Sequence, residues 1–388
     1  MIRPVGEPTV LLAGGGTGGH LFPGLAVAER IAQRKPGARL LLAMTERDAK
    51  APHGASCPLE IVALHSPRTP ARALGLPAFG ARLSSAVARA TRVLRTERPS
   101  IVVGLGGYGS VAPALAACLL RIPVLLLEQN VVPGKANRLL SRLGAVTAAA
   151  FDGLQDAGLR GPVVHTGNPV RGSVLKPWPA HSKLGLRPGV PVIAVMGGSQ
   201  GASGLNEKFV RGLDAVIRGC AQNGRPRDAL QVIHSVGTRD PVDRTLAVYR
   251  RLGITACVRP FFHDMGAVYG TSDLVLCRSG GTTLAELTSL GLPSVLVPYP
   301  YHADQQQRRN ALRLVDRGAA TLLEEDAMTP DELAAHLVPL ICDPRLRARR
   351  AREARRMGRP DAADRVVDLI DDLVRGRVPA RYEEAIAR

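Results

Sequence analysis

One pattern occurs twice in this chain of 388 residues and constrains its fold more than any other: an apolar run, a glycine cluster and a helical segment. Val10–Ala13 precedes the cluster Gly14–His20, and Pro191–Met196 precedes the cluster Gly197–Ala202. Each predicts a strand, a glycine loop and a helix, whose backbone N–H groups and dipole hold anionic or hydroxyl-rich groups. His20 ends the first cluster, and an imidazole can accept a proton at about pH 7. The pattern therefore favours group transfer over binding alone.

Short apolar runs alternate with helical patterns in both halves of the chain, which is typical of buried parallel strands. We therefore expect an α/β chain of two doubly wound, Rossmann-like parallel-sheet domains that face each other across a cleft for two substrates. Ligands bind at the carboxyl ends of the strands in such sheets. The predicted strands are Thr9–Ala13, Arg39–Met44, Glu60–Leu64, Ile101–Leu105, Val124–Glu128, Ala145–Ala149, Val163–Thr166, Pro191–Met196, Gln231–Ser235, Thr255–Arg259, Leu274–Cys277, Ser294–Val297 and Ala320–Leu323.

The domain boundaries are predicted from composition. Residues 1–172 are expected to form the first domain and residues 173–360 the second. Asn168 to Gly189 is rich in Pro and Gly, which indicates an interdomain linker.

Three helical patterns are informative. Ala81–Thr96 places one apolar stripe inward, and Arg345–Arg359 indicates an arginine-dense, solvated helix. A last helix, near 361–388, is expected to pack back on the first domain. Its apolar face consists of Val366, Val367, Ile370 and Leu373.

Composition narrows the classes of partner. The formal net charge is +18, which favours nucleic acid, an anionic membrane surface or a phosphorylated substrate; a general bias toward arginine is an alternative explanation. Aromatic residues are only 3%, so stacking platforms for single-stranded nucleic acid are poorly supplied. The six cysteines show no metal-ligand spacing, so neither a zinc site nor a disulfide framework is expected. The longest apolar stretch, Val111 to Leu127, is too interrupted to span a bilayer.

Polar groups follow several predicted strands and are expected at the ligand-binding edge of each sheet. Glycines and Tyr108 follow Ile101–Leu105, and Glu128-Gln129-Asn130 ends the next strand. In the second half, Arg278 to Glu286 leads to a polar stretch from His302 to Asn310. A glutamate in a helix after two glycines can accept hydrogen bonds from adjacent ribose hydroxyls.

Together these residues resemble the MurG family, the glycosyltransferases of family 28 that act in bacterial peptidoglycan assembly and have the GT-B fold. The resemblance runs through the whole chain. Its segments are, in order, GGGTGGHLFPGLAVAE, GGYGS, LLEQNVVPGKAN, GNPVR, GGSQGA followed by Leu205-Asn206, FFHDM, SDLVLCRSGGTTLAEL and DQQQRRNA. Single glycine motifs are weak evidence, whereas eight in order are strong evidence.

The resemblance implies an inverting transfer of N-acetylglucosamine (GlcNAc) from UDP-GlcNAc to the C4 hydroxyl of the muramoyl sugar (MurNAc) of lipid I. The products are lipid II and UDP. His20 is the candidate catalytic base. UDP leaves against a helix N-terminus and Arg171, and the sequence contains no Asp-x-Asp triplet, so we expect no cofactor and no metal.

The same resemblance implies the binding residues. In the second half, the backbone of Phe262 meets uracil, Glu286 holds the ribose, Ser199 with its glycine loop holds the diphosphate, and Gln306 and Gln307 contact the GlcNAc hydroxyls. Arg171 meets donor phosphate or uridine. Thr17, Gly18 and Gly19, with Asn130 nearby, take the acceptor diphosphate and are also counted among the donor-binding residues. The remaining positions are Gly281, Thr282, Thr283, Leu284 and Ala285 for the donor, Gly107, Tyr108 and Glu128 on the acceptor side, and Asn310 as a further sugar contact.

One departure from the family pattern is His263, where the family usually has Asp. Because the uracil contact at this segment comes from the backbone, the departure leaves the assignment in place.

A lipid-linked acceptor implies a protein that sits peripherally on the cytoplasmic face of the cell membrane. Basic and apolar residues crowd two regions of the first half, with Glu97 as the only acid between Arg68 and Arg98. Such a surface suits an anionic leaflet, and an ordinary basic surface is the alternative. The residues are Arg68, Arg72, Arg82, Arg89, Arg92, Arg95 and Arg98 with Leu74, Leu76 and Phe79, and then Lys135, Arg138 and Arg142.

Several alternatives stay open at this point. Another GT-B transferase acting on a lipid or natural-product acceptor shares the donor motifs. A dinucleotide-dependent oxidoreductase is disfavoured by the glycine spacing, and a nucleic-acid binder leaves both glycine loops unexplained. His20 alone is also compatible with packing at a helix start, Glu286 and the glutamines with solvated helix faces, and Arg171 with a simple ion pair.

Overall fold

The computed structural model describes residues 7–15, 18–45, 57–64, 67, 76–154, 157–198, 201–226, 228 and 230–377. The chain divides into two compact units. The first comprises Met1–Arg171 together with Arg359–Arg388, and the second comprises Gly172–Gly358. The second unit is thus inserted into the first.

The first unit contains a seven-stranded parallel sheet in the order β3-β2-β1-β4-β5-β6-β7. The chain order reverses between β1 and β4, which makes this position the topological switch point of the sheet. The strands are β1 Thr9–Ala13, β2 Arg39–Met44, β3 Glu60–Ala63, β4 Ile101–Gly104, β5 Val124–Glu128, β6 Val146–Ala149 and β7 Val163–His165. The helices are α1 Gly18–Arg34, α2 Leu76–Glu97, α3 Val111–Leu119, α4 Lys135–Ser141 and, after the second unit, α13 Ala362–Val374.

Both faces of this sheet are covered, because alternate residues of each strand point to opposite sides. Val10 and Leu12 pack with α1 and α13, whereas Leu11 and Ala13 pack with residues of α2, α3 and α4. The continuous apolar strand sequences are explained by this two-sided burial.

Helix α13 returns the chain to the first unit and completes its core. Val366, Val367, Ile370 and Leu373 are each at most 6% exposed and belong to the same apolar cluster as α1. An acidic edge of α13 also faces a basic edge of α1. The ion pairs are Arg30–Asp364 at 2.6 Å, Arg34–Asp364 at 3.5 Å, Arg34–Asp368 at 2.7 Å and, directly after α1, Lys35–Asp371.

The second unit contains a six-stranded parallel sheet in the order β10-β9-β8-β11-β12-β13, with the switch point between β8 and β11. The strands are β8 Val192–Met196, β9 Gln231–Ser235, β10 Ala256–Arg259, β11 Leu274–Cys277, β12 Ser294–Leu296 and β13 Ala320–Leu322. The helices are α5 Gly172–Leu175, α6 Ser203–Gln222, α7 Val242–Leu252, α8 Met265–Thr271, α9 Gly281–Leu290, α10 Gln306–Val315, α11 Pro330–Cys342 and α12 Pro344–Met357.

The prediction of two doubly wound parallel sheets is confirmed. Every predicted strand is present within the described residues, with each end within one residue of its predicted position. In the described part of the chain, no helix is long and apolar enough to cross a membrane.

The predicted linker is wrong over its second part. The stretch after Arg171 packs on α8 of the second unit: Trp178 N–H donates to the Gly266 carbonyl (3.3 Å) and Ala180 N–H to Thr271 Oγ1 (2.8 Å). Gly266 and Gly270 form the face of α8 that receives it. A Cβ on Gly270 would lie 2.4 Å from Trp178 N, so backbone meets backbone there. Irregular structure rich in Pro and Gly is therefore packed against a helix of the second unit here rather than being a free linker.

The prediction that Arg345–Arg359 is a solvated helix is also wrong in part. Three arginines of α12 donate to backbone carbonyls at or after helix C-termini. Arg347 binds Leu340 O (2.7 Å) and Ile341 O (2.8 Å) of α11, Arg350 binds Gly318 O (2.7 Å), and Arg355 binds Leu290 O (3.4 Å) of α9. Positive charge at helix C-termini is stabilising, so α12 fastens the helices around it.

Candidate functional site

In the first unit, the loops after β1 and β4 meet at the switch point of the sheet. Gly14 has φ +134° and Gly106 has φ +98°, values that L side chains rarely adopt. A Cβ on Gly14 would lie 2.9 Å from Gly106 O, and a Cβ on Gly109 would lie 3.3 Å from Gly14 Cα. Only glycines allow this approach, which leaves bare backbone where such sheets bind ligands.

His20 lies in the first turn of α1, beside the same two loops. A Cβ on Gly106 would be 2.7 Å from His20 Cδ2 and 3.2 Å from Nε2, and a Cβ on Gly107 would be 3.7 Å from Nδ1. The imidazole is half-buried, and burial lowers the pKa of His20 below its ordinary value. The ring is therefore neutral near about pH 7, the state that a general base requires.

The residues after β5 form a hydrogen-bonded unit. Glu128 is 3% exposed, and its two carboxylate oxygens accept from Asn130 N–H (3.1 Å), Gly134 N–H (2.9 Å) and Asn137 Nδ2 (2.9 Å). Burial raises the pKa of Glu128, while these hydrogen bonds act in the opposite direction. Gln129 donates from Nε2 to Leu105 O (3.0 Å), which ties this turn to the loop after β4. Glu128 thus shapes the loop that carries Asn130.

Arg171, the last residue of the first unit before the insertion, stacks on α1. Its guanidinium carbon lies 4.0 Å from the centre of the Phe22 ring. Its Nε is buried and has no hydrogen-bond partner among the described residues. A stacked guanidinium keeps its in-plane donors for two oxygens of an anionic group such as a carboxylate or a phosphate. The side chain therefore fits a phosphate or carboxylate ligand better than an internal ion pair.

In the second unit, the start of α6 follows the glycines after β8. Gly201 has φ +76°, and a Cβ there would lie 2.9 Å from Gly237 Cα, at the end of β9. The loop is thereby pressed against the neighbouring strand. Helix α6, with 20 residues, presents its N-terminal N–H groups there, as an anion site requires. Ser199 and Gln200 lie outside the described residues.

A buried chain of hydrogen bonds fixes the first turn of α6. Asn206 Nδ2 donates to Val236 O (2.8 Å) and Asp240 Oδ2 (2.7 Å), so its Oδ1 accepts from His234 Nε2 (3.1 Å). His234 Nδ1 then accepts from the Tyr249 hydroxyl (2.7 Å). Burial lowers the pKa of His234 to about 3, so the ring stays neutral. The sequence alone did not reveal this network.

Arg278, at the end of β11, makes a second buried polar cluster. Its Nη1 donates to Val297 O (3.2 Å) and Pro298 O (2.9 Å), and its Nη2 pairs with Glu325. Both side chains are at most 9% exposed. A Cβ on Gly204 would meet Glu325 Oε1, so the pair lies against the first turn of α6. The cluster joins β11, β12 and α6 near the carboxyl edge of the sheet.

Helix α9 starts directly after β11 and carries the predicted ribose residue. Gly281, Thr282 and Leu284 are buried, and Thr283 and Ala285 are half-buried. Glu286 is 7% exposed, and its Oε2 accepts a hydrogen bond from the Tyr269 hydroxyl of α8 (2.7 Å). The carboxylate is therefore held at one defined position.

Phe262 precedes α8 and is 5% exposed, with Arg259 over its ring at 5.4 Å. Asp264 accepts from Ala267 N–H (2.9 Å) and caps the helix. His263, the departure from the family pattern, is exposed and makes an edge contact with Phe261.

The predicted sugar contacts lie at the start of α10. Gln306 and Gln307 are half-buried, but Gln307 Oε1 accepts from Tyr299 N–H (2.9 Å) and Gln307 O accepts from Ser279 Oγ (2.8 Å). Asn310 is fully buried and donates to Ser279 O (3.2 Å). Gln305 has φ +48°, a strained conformation for a side-chain-bearing residue. In this arrangement Gln307 and Asn310 support the loop through their hydrogen bonds to Tyr299 and Ser279.

Comparisons with known proteins find matches to both units of the chain. The glycosyltransferase family 28 N-terminal domain matches residues 10–148, and the family 28 C-terminal domain matches residues 192–366. A protein of Methylobacterium sp. (strain 4-46) is 41% identical over 376 residues, which cover 94% of this chain and 97% of the relative. One of Anaeromyxobacter sp. (strain Fw109-5) is 39% identical over 374 residues, covering 95% and 94%. The chain belongs to glycosyltransferase family 28.

Both of these family 28 relatives are named UDP-N-acetylglucosamine--N-acetylmuramyl-(pentapeptide) pyrophosphoryl-undecaprenol N-acetylglucosamine transferase. A crystal structure of Acinetobacter baumannii MurG is 30% identical, with a TM-score of 0.70 over 94% of this chain and all of that one. The calicheamicin glycosyltransferase CalG4, at 18% identity and a TM-score of 0.62 over 95% of this chain and all of that one, shares the fold. The MurG-family resemblance and the GT-B fold are confirmed.

The family 28 site residues predicted from sequence fall into two groups, one at the carboxyl edge of each sheet. The first unit brings together Gly107, Tyr108 (49% exposed), Glu128, Asn130 and His20 with Gly18 and Gly19. Thr17 and Ser199 lie outside the described residues, and the role of each residue stays a prediction. Sequence reasoning missed Phe22 and Tyr269, because a buried or half-buried aromatic residue gives no sign that a charged partner lies against it.

Among the described residues, no three His, Cys, Asp or Glu side chains are grouped closely enough to hold a metal ion. Arg171 lies against Phe22 of α1, and Arg278 pairs with Glu325 beside the first turn of α6.

Proposed function

We propose that this family 28 chain transfers GlcNAc from UDP-GlcNAc to the C4 hydroxyl of the MurNAc of lipid I, forming lipid II and UDP in peptidoglycan synthesis. The observation that carries the proposal is that the match to the transferases extends through both units, over 95% of the chain and 94% of one relative. The match over the first unit is the more informative part for the choice of acceptor. Donor-side motifs are shared by other GT-B enzymes, whereas the acceptor is proposed to bind the first unit.

His20 is proposed as the base. Its neutral imidazole takes the proton from the C4 hydroxyl as that oxygen forms a bond to the anomeric carbon of GlcNAc. The bond from that carbon to the β-phosphate oxygen of UDP breaks, so the configuration inverts to a β-linkage. The low pKa produced by burial keeps the ring unprotonated before the reaction.

The second unit is proposed to bind the donor. The backbone of Phe262 contacts uracil and Glu286 accepts from the ribose hydroxyls. The N-terminus of α6, with Ser199, receives the diphosphate, where N–H groups stabilise the negative charge of departing UDP. Gln306 reads GlcNAc hydroxyls. Residues 281–285 form the first turns of α9 beside it, and Gln307 and Asn310 complete this region.

The first unit is proposed to hold the acceptor. The N-terminus of α1, with Thr17, Gly18 and Gly19, takes the diphosphate of lipid I, and Asn130 lies on the neighbouring loop. Gly107, Tyr108 and Glu128 form the acceptor side of that edge. Arg171 adds a guanidinium for a phosphate. We propose that transfer proceeds without a metal, and unchanged turnover in EDTA is the expected result.

The first unit is also proposed to dock on the cytoplasmic leaflet. Leu119, Leu139 and Leu143 are 73%, 46% and 51% exposed, on or beside α3 and α4. Helix α2 covers the same sheet face and exposes four arginines, each worth about 1 kcal/mol near an anionic surface. Binding to phosphatidylglycerol vesicles but not to phosphatidylcholine vesicles is expected. Equal binding to both would contradict the proposal.

The function is tested by UDP release from UDP-GlcNAc with a soluble lipid I analogue, followed by isolation of the disaccharide product. Turnover with UDP-GlcNAc is expected, and its absence with every UDP-HexNAc donor would refute the proposal. His20→Ala should lower kcat at least about 100-fold, as loss of a general base does, while leaving the Kd of UDP unchanged. His336→Ala, on α11, is the matched control and should retain full activity. Unchanged turnover in His20→Ala would remove His20 as the base.

A further inference from the structure

The hydroxyl of Tyr269 is committed to a carboxylate. It donates to Glu286 Oε2 at 2.7 Å, and both side chains are at most 7% exposed. A buried carboxylate is costly unless it is hydrogen-bonded, so this contact stabilises Glu286 and fixes its orientation. Neighbouring Cys277 responds to the same charge, since burial and then the Glu286 carboxylate raise the pKa of its thiol to about 12.

Tyr269 is carried by a helix whose position is fixed at both ends. Asp264 caps the start of α8, directly after Phe262. Gly266 and Gly270, one turn apart, lie against the backbone of Ser173 and Trp178. Tyr269 is the fifth residue of α8, and with both ends of the helix held it cannot shift along the helix axis. The backbone next to Phe262 and the carboxylate of Glu286 are joined by this single rigid element.

We propose that Tyr269 is a positioning residue that holds the Glu286 carboxylate ready for the ribose hydroxyls of a uridine nucleotide. Helix α8 thereby sets the distance between the base contact at Phe262 and the ribose contact at Glu286. This inference rests on the proposed function, because it requires Glu286 to bind ribose.

The test compares two single-oxygen deletions. Tyr269→Phe removes the bond to Glu286. Tyr249→Phe is the matched control, because it removes an equally buried hydroxyl in the same unit whose partner is His234. Calorimetry measures the Kd of UDP and of 2′,3′-dideoxy-UDP for each protein. Their ratio reports ribose recognition and is insensitive to a general loss of stability.

Wild type should prefer UDP over the dideoxy probe. Tyr269→Phe should weaken UDP binding about tenfold, as for a hydrogen bond to a charged group, while changing dideoxy-UDP binding less than about twofold. The KM of UDP-GlcNAc should rise accordingly with kcat nearly unchanged, and Tyr249→Phe should keep the wild-type ratio. In a cycle with Glu286→Gln, the two losses should be markedly less than additive.

Three results would overturn the proposal. A wild-type ratio retained by Tyr269→Phe would remove Tyr269 as a positioning residue while leaving the proposed function intact. An equal fall in the preference for UDP over dideoxy-UDP in Tyr249→Phe would mean that the effect is not specific to the hydroxyl of Tyr269. Failure of the wild type to bind UDP, or to distinguish it from the dideoxy probe, would instead refute the ribose role of Glu286 and with it the donor assignment.

Discussion

Gly270→Ala tests the packing of α8 against the segment around Trp178, which precedes β8. The added Cβ would lie 2.4 Å from Trp178 N, 2.5 Å from Trp178 O and 2.6 Å from Trp178 C, whereas ordinary contacts lie at 3.4–4 Å. These neighbours are backbone atoms, so no rotamer change relieves the clash. Helix α8 must move away by roughly 1 Å, as an overpacked site does.

The magnitude follows from three terms. Overpacking costs about 1–3 kcal/mol, and weakening the Trp178 N–H to Gly266 O bond adds about 0.5–1.5 kcal/mol. The helix gains at most about 1 kcal/mol when Ala replaces Gly. We therefore expect Gly270→Ala to lower the free energy of unfolding of the second unit by about 2 kcal/mol.

Urea denaturation followed by tryptophan fluorescence measures this change. Trp178 is the single tryptophan of the chain and lies at the contact itself, so the signal reports on the second unit. With a urea dependence of about 2 kcal/mol per molar, the midpoint should fall by about 1 M.

Gly172→Ala is the control, since a Cβ there meets nothing within 4 Å. It should change the stability by no more than about 0.5 kcal/mol. A Gly270→Ala protein as stable as wild type would refute the close packing of α8 on residues 176–178, and a more stable one would show that helix propensity dominates there.

Three further predictions concern other elements. Asp264→Ala removes the N-cap of α8 and should cost about 1 kcal/mol in urea denaturation; no change would contradict the cap. Burial lowers the pKa of His234 to about 3 in the folded protein, so on acidification the unfolded chain binds a proton before the folded one does. The free energy of unfolding that is present above about pH 6.5 should therefore decrease as the pH falls, by about 2 kcal/mol between pH 7 and 5. His234→Asn should flatten that slope, and an unchanged slope would assign it to other groups. Phe22→Leu should raise the KM of UDP-GlcNAc or of the lipid I analogue severalfold, because about 0.5–2 kcal/mol of stacking on Arg171 is lost. The same substitution should have no further effect in an Arg171→Leu background; additive losses would show that the two side chains act independently.

The sheets could be predicted because their sequence signal is local. Each strand is a short apolar run buried on both faces, and glycine clusters after β1 and β8 mark the two switch points. Strand order and register depend on packing between distant segments, so no local pattern specifies them. For the same reason the linker was misassigned: Pro-rich composition does not tell a free linker from the segment around Trp178 that packs on α8.

Sequence reasoning singled out the polar residues of the candidate site, whose roles stay predictions, and missed the residues that support them. His20 and Glu286 are recognisable because a titratable residue after glycines is unusual. Tyr269 and Phe22 have the sequence appearance of ordinary apolar-face residues, and their charged partners are 17 and 149 positions away. Arg347 of α12 was misjudged likewise, since the carbonyls it binds belong to the preceding helix.

Because the chain returns to the first unit through α13, the second unit is an inserted segment that is connected to the first unit at two positions. The inserted segment ends at Gly358. A Cβ on Gly167 would lie 2.5 Å from Arg359 Cβ, so the residues before and after the inserted segment lie close together within the first unit. An N-terminal fragment ending at Arg171 would lack the α13 residues that cover Val10 and Leu12. A short bridge from Arg171 to Arg359 is therefore the way to obtain the first unit alone, and exchanging residues 172–358 between relatives tests the proposal that this unit binds the donor.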